Sequence, residues 1–217
     1  MKMKYAVCLA AITMAAFSAC ADPMRGFAGL FCPEDHFEWE VIDGAAAVKI
    51  TGYVGGRTDV RIPPYIQGLP VTVIGELAFL GGERQYPPIG QEIIPRHSIA
   101  SIIIPYGITH IKFSAFAHNN ITNVTIPGSV IYIGTNAFGW NYQLRSVTIQ
   151  EGTTHIGVGA FNHNHIYSVT IPNSVTIIET VAFMDNQLTS VVIPNYNAYV
   201  SEWAFDQGVT VKIGTGE

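Results

Sequence analysis

The residue type with the widest chemical reach in this 217-residue chain is histidine, present seven times. His163 and His165 flank Asn164, and His118 falls in the same column as His163, two coils apart and at roughly 9–10 Å too far to share one metal. Paired imidazoles could ligate zinc, but a structural zinc takes four protein ligands and a catalytic one three. His163 with His165 is half a site, and surface histidines at a turn account for them better. A second series is more even. His110, Tyr132, His155, Ile177 and Tyr199 follow one another at 22 or 23 residues, with Val73 as an earlier member. Large, weakly polar groups at a fixed interval suit recognition, because tyrosine joins apolar area to a hydrogen-bonding tip. Trp140 is assigned to the same candidate protein-binding ridge, and Trp203 is a further turn aromatic. The column would equally serve to pack against a flanking loop.

Catalytic constellations are missing from the sequence. Gly157-Val158-Gly159 lacks the third glycine and the strand–helix setting of a phosphate loop. Neither a G-x-S-x-G elbow nor an H-E-x-x-H helix occurs. The reading is a non-enzymatic protein without cofactor or metal.

What must position these residues is a repeat. Ala-Phe recurs at Phe79, Phe116, Phe138, Phe161, Phe183 and Phe205, the last five spaced by 22, 23, 22 and 22 residues. Twelve residues before each of those five stands an Ile: Ile104, Ile126, Ile149, Ile171 and Ile193. A fixed period in this range marks a solenoid, whose units bury their apolar faces only by stacking on neighbours.

Residues 121–142 show the unit. Ile121, Val124 and Ile126 point inward while Asn123 and Thr125 alternate outward, the pattern of a strand with one buried face. Pro127 ends the strand, since it has no N–H for a ladder. Val130 and Ile133 begin a second extended segment, Gly134 bends it, and Ala137-Phe138 pack inward on a short helical turn. Gln150 replaces the Pro, and Thr153 and Asn197 replace the Val, in later units. The outward column Arg61, Ile103, Thr125, Thr148, Thr170 and Val192 is small and nearly uncharged. Three residues past each Phe comes Asn119, Asn141, Asn164 or Asn186, then Gly208. Asn and Gly share tolerance of positive φ, and Asn also bonds backbone groups. This column is a structural turn ladder.

The flanks are less regular. His36–Ile42 and Ala47–Tyr53 predict two strands around Asp43-Gly44, a hairpin that caps the array over 36–57. The array spans 58–209, and 210–217 form a C-terminal strand or cap. An insertion at 80–98, with Gly81-Gly82, Pro87-Pro88 and Pro95, is a loop on one face, either a binding element or of no consequence.

The unit ITNVTIPGSVIYIGTNAFGWNY resembles the BspA-like branch of the leucine-rich repeats, in register over residues 58–209. The resemblance implies a right-handed, mainly β solenoid with a parallel sheet and short helical or 3-10 turns. It also implies exported bacterial proteins, often lipid-anchored, that adhere to host proteins, and it supplies no catalytic residues. The partner expected from it is a protein, with a host matrix protein as the leading case; an aromatic ridge also suits a glycan.

Lys2 and Lys4, the apolar stretch Ala6–Phe17 and the small Ser18 and Ala19 predict a secretory signal over residues 1–20, too short for a membrane span. Two cleavage readings compete. Phe17-Ser18-Ala19-Cys20 resembles a lipobox and would make Cys20 the lipid-bearing first residue, although Phe17 stands where Leu is typical. Ala19-Cys20-Ala21 would instead serve ordinary signal peptidase. The lipoprotein reading is favoured, because a Cys in that place is the more demanding coincidence. It leads to residues 21–35 as a tether and to a chain held at the cell envelope, in contact with membrane only through its anchor. Cys32 is then a lone free thiol. Without Lys2 and Lys4, nine basic residues face sixteen acidic ones, and no basic stripe exists for nucleic acid.

Overall fold

Inward Ile and Val alternating with outward Ser, Thr and Asn give each unit one strand with a buried face, and the units stack into a solenoid of about seven turns. The computed structural model describes residues 31–82 and 98–214. The expected signal at 1–20, Cys20 and most of the insertion at 80–98 lie outside the described residues.

Two β faces run along the stack. One is a sheet of nine strands among the described residues. It opens with Phe37–Ile42 antiparallel to Ala47–Tyr53, then continues in parallel through Leu69–Ile74, His110–Ile111, Tyr132–Ile133, His155–Ile156, Ile177–Ile178 and Tyr199–Val200, with Tyr65–Ile66 as the ninth strand, antiparallel to Leu69–Ile74. Its strands from His110–Ile111 to Tyr199–Val200 are two residues long, and after Tyr132–Ile133 the coils pack so closely that a Cβ on Gly134 would lie 2.8 Å from the Ile111 carbonyl oxygen. The other face is in three parallel pieces. Asp59–Arg61 pairs with Ser101–Ile103, Ser146–Ile149 lies between Asn123–Ile126 and Ser168–Thr170 and pairs with both, and Ser190–Ile193 pairs with Thr210–Ile213.

The core is a set of columns. Ile121, Val124, Ile126, Val130, Ile133, Ala137 and Phe138 are all buried, as are their equivalents in the flanking coils. The phenylalanine rings stack face to face at 4.9, 5.0, 5.3, 5.2 and 5.3 Å from Phe79 to Phe205. The hairpin extends this column: Tyr53 stacks on Phe79 at 5.6 Å, and Phe37 leans on both. Gly44 (φ 64°) lies in its turn. Within the stretch expected as a tether, Cys32 is buried against the core, and its backbone N–H donates to the Arg61 carbonyl at 3.0 Å. The chain is thus already fastened to the array from Cys32 onward.

At the Ala-Phe bend, the expected helical turn takes the form of tight turns. The only 3-10 segments among the described residues are Glu34–His36 and Asp43–Ala45. The cause lies in the hydrogen bonds. The N–H groups of Phe79, Phe116, Phe138, Phe161 and Phe183 each donate at 2.8 Å to the Ala carbonyl of the following coil. A carbonyl committed between coils is diverted from the intrahelical bonds of a helix.

Thr153, which replaces Val in a core column, is fully buried, and its hydroxyl donates to the Val130 carbonyl at 2.7 Å. A buried hydroxyl is tolerated when bonded in this way.

Phe161 is fully buried with a ring on each side. Phe161→Ala is expected to lower stability by about 3–5 kcal/mol, as read from denaturant unfolding. Unchanged unfolding would contradict the stacked core.

Candidate functional site

The ridge is built by the nine-stranded sheet. Its cross-strand register pairs Val73 with His110, His110 with Tyr132, Tyr132 with His155, His155 with Ile177, and Ile177 with Tyr199. These five candidate residues therefore form one continuous column. Side chains at the ~4.8 Å strand spacing cover one another's flanks. Accordingly His110, Tyr132, His155 and Ile177 are half-buried, and Tyr199 alone of the column is widely exposed, at 65%. His110 and Tyr132 have ring centroids 6.2 Å apart, and Tyr132 meets His155 edge-on at 5.0 Å.

Charge on the ridge is confined. Burial of its ring, with the Lys112 charge adding to it, lowers the His110 pKa below the ordinary imidazole value, so His110 is neutral at pH 7. His155 Nε2 lies 3.1 Å from Glu179 Oε1, a close polar contact without a well-directed hydrogen bond. The other Glu179 oxygen accepts the Val158 N–H at 2.9 Å, which fixes the carboxylate between two coils.

His110 also contacts a hydroxyl, Thr109 Oγ1, 2.9 Å from its Nδ1. That hydroxyl donates to the Thr72 carbonyl at 3.0 Å. Which of the two atoms donates in the His110–Thr109 pair is set by the His110 tautomer. Among the described residues, no three His, Cys, Asp or Glu side chains converge as a metal-ligand set.

Trp140 is not on the ridge. It occupies a second column two residues past each Phe, where its indole lies between His118 (4.9 Å) and His163 (5.2 Å), nearly parallel to both. The column continues to Asp185, whose Oδ2 is 2.9 Å from His163 Nδ1. The indole therefore separates the two histidines, and His163 pairs with an acid. The reason Trp140 leaves the ridge is its turn position: it comes after the Phe138 bend, while the ridge precedes it. The sequence already puts His118 and His163 in one column, and counting two residues past each Phe is the signal that adds Gly81, Trp140 and Asp185 to it.

The turn ladder also differs in one detail. Positive φ falls one residue before the asparagines, at His118 (58°), Trp140 (57°), His163 (52°) and Asp185 (56°). The asparagines act through their amides. The Asn141 side-chain NH2 donates to the carbonyls of Phe116 (3.0 Å) and Phe138 (3.1 Å), and its oxygen accepts the Ile121 N–H at 3.3 Å. Asn164 likewise bonds the Phe138 and Phe161 carbonyls, at 3.0 and 2.8 Å, and accepts the Asn141 N–H at 2.6 Å. Asn119 and Asn186 repeat the pattern. Each amide joins two successive coils behind the phenylalanine stack.

The comparisons agree with this architecture. A family profile described as BspA type leucine rich repeat region matches residues 88–212 in six copies. No curated protein matches the chain. A solved leucine rich cell surface protein from Faecalibacterium prausnitzii is 24% identical with a TM-score of 0.56, over 83% of this chain and 54% of that one. This chain therefore spans about half the length of that protein. The T. pallidum leucine rich repeat protein is 22% identical with a TM-score of 0.54, over 85% of this chain and 86% of that chain. Both likenesses show the fold.

Asn164→Ala removes bonds to three buried backbone groups. Unsatisfied buried groups cost about 1–3 kcal/mol each, with partial relief from water. The expected loss is about 3 kcal/mol in chemical unfolding; a loss under about 0.5 kcal/mol would rule out the clamp.

Proposed function

The chain belongs to the BspA-type leucine-rich repeat family, and we propose that it binds a protein partner at the cell envelope through the ridge of His110, Tyr132, His155, Ile177 and Tyr199. Repeats of this family are in general non-catalytic binding scaffolds that mediate protein–protein contacts. The observation that carries the reading is the register of the ridge. It presents aromatic and aliphatic groups in one line, with its single carboxylate contact turned onto His155. A ridge of this composition matches interface cores, which are enriched in aromatics and depleted of unpaired charge.

In this proposal the protein is exported, is held by lipid on Cys20, and meets host matrix proteins as a surface adhesin. The positively charged start, the apolar stretch and the lipobox-like Phe17-Ser18-Ala19-Cys20 support export and anchoring. No helix among the described residues is long and apolar enough to cross a membrane.

Two measurements test the reading. Replacing Tyr132 and Tyr199 with Ser is expected to weaken binding to host matrix proteins by about tenfold or more, as hot-spot tyrosines do, with the fold intact by circular dichroism. Equal affinity of the double variant would remove the ridge from the binding surface. Protease treatment of intact cells, with a periplasmic protein as leakage control, is expected to cut the solenoid. Protection until the outer membrane is opened would replace the adhesin with a periplasmic scaffold for an envelope partner.

A further inference from the structure

The face opposite in role to the ridge carries a shallow hollow of about 420 Å³, bordered by Ile103, Tyr106, Asn123, Thr125, Pro127 and Gln150. It lies where that face is interrupted: Ser101–Ile103 and Asn123–Ile126 belong to separate pieces of sheet. Tyr106 is 79% exposed, and Ile103 beside it is 44% exposed. One coil on from Tyr106, the same turn position is Gly128, which adds no side chain to cover the ring.

Gln150 is the residue that breaks the Ile-Pro pattern of the array. Its presence has a geometric consequence. Its Oε1 accepts the Gly128 N–H at 3.1 Å, which fixes the amide across the coil junction and leaves its NH2 donors at the exposed rim. Asn123 is oriented by the Ser146 hydroxyl, which donates to its Oδ1 at 2.7 Å. Thr125, on the same strand as Asn123, is exposed and also lines the hollow. The nearby carboxylate, Glu151, is turned away to the next coil, where its oxygens accept the N–H groups of Asn173 and Ser174 at 2.8 and 3.1 Å. No residue lining the hollow is charged.

We infer that this hollow is a binding subsite for a neutral glycan, a chain of uncharged pyranose rings. A pyranose has an apolar C–H face and a rim of hydroxyls. The Tyr106 ring and Ile103 match the face, and the Gln150 amide, Asn123 and Thr125 match the rim. The uncharged lining favours neutral sugars over acidic ones, since a carboxylate entering it would be desolvated without a cation to pair with. An open, shallow shape suits a polymer that runs across the surface. The inference stands apart from the protein-binding reading, because the ridge residues lie on the other sheet.

The test is titration of the whole exported chain with cellohexaose, maltohexaose and xylohexaose, against polygalacturonate as an acidic polymer. At least one neutral hexasaccharide is expected to bind. Tyr106→Ala and Gln150→Glu are each expected to weaken that binding about tenfold, with Tyr106→Phe retaining it. Gln150→Glu keeps the acceptor for Gly128 and removes the donors, so its fold is preserved by design. Thermal melting of each variant checks that the solenoid is intact. The inference is overturned if none of the three neutral probes binds at millimolar concentration, if polygalacturonate is preferred, or if either Tyr106→Ala or Gln150→Glu binds as well as the parent. The Tyr132/Tyr199 double variant is expected to bind sugar normally, which separates failure here from failure of the ridge.

Discussion

Every surface of this protein depends on how one coil rests on the next. Phenylalanine rings lie face to face at about 5 Å from Phe79 to Phe205, near the spacing of hydrogen-bonded strands. Two constraints therefore agree. Strand hydrogen bonds bring successive coils to one distance, and flat rings are in van der Waals contact at that distance. The asparagine amides then tie the carbonyls just behind the rings, so the bend cannot slip against its neighbour. Aliphatic columns alone would leave those carbonyls buried and unbonded, at a cost comparable to a lost hydrogen bond for each.

The bends carry a conformational penalty that the stacking offsets. Left-handed φ is unfavourable by roughly 1–2 kcal/mol for a residue with a Cβ. It nonetheless recurs at His118, Trp140, His163 and Asp185, and again before the Ala-Phe pair at Ser114, Asn136 and Val181. The same reversed residues supply N–H groups to the following coil, as in His118 to Gly139 and Trp140 to Asn162, both at 3.0 Å. The reversals past the Phe bend bring three side chains, His118, Trp140 and His163, into one ring stack.

Register has a second effect, on charge. His155–Glu179 and His163–Asp185 both join the coil that carries Phe161 to the coil that carries Phe183. Acids in this part of the array thus meet a histidine one coil away, and the ridge keeps its weakly polar character. On the other face the Glu151 carboxylate is held by backbone N–H groups. The two faces consequently differ: one offers a half-buried aromatic line, the other hydroxyls and amides around an uncharged hollow.

The sequence by itself determined the period, the inward columns and the common column of His110, Tyr132, His155, Ile177 and Tyr199, but it also assigned Trp140 to that ridge. A spacing of 22 or 23 residues between like side chains is a direct imprint of stacking, and alternation within Asn123–Ile126 reports which side is buried. Four features were decided only by the tertiary structure. They are the half-burial of Tyr132 and His155, the acid partners Glu179 and Asp185, the place of Trp140 between two histidines, and the hollow beside Gln150. Periodicity tells which residues share a column. It does not tell how the backbone turns between columns, and a sign change in φ at one residue past the Phe bend moves a side chain to another surface. That choice is made by inter-coil hydrogen bonds between residues more than twenty positions apart, whose partners exist only once the coils have stacked.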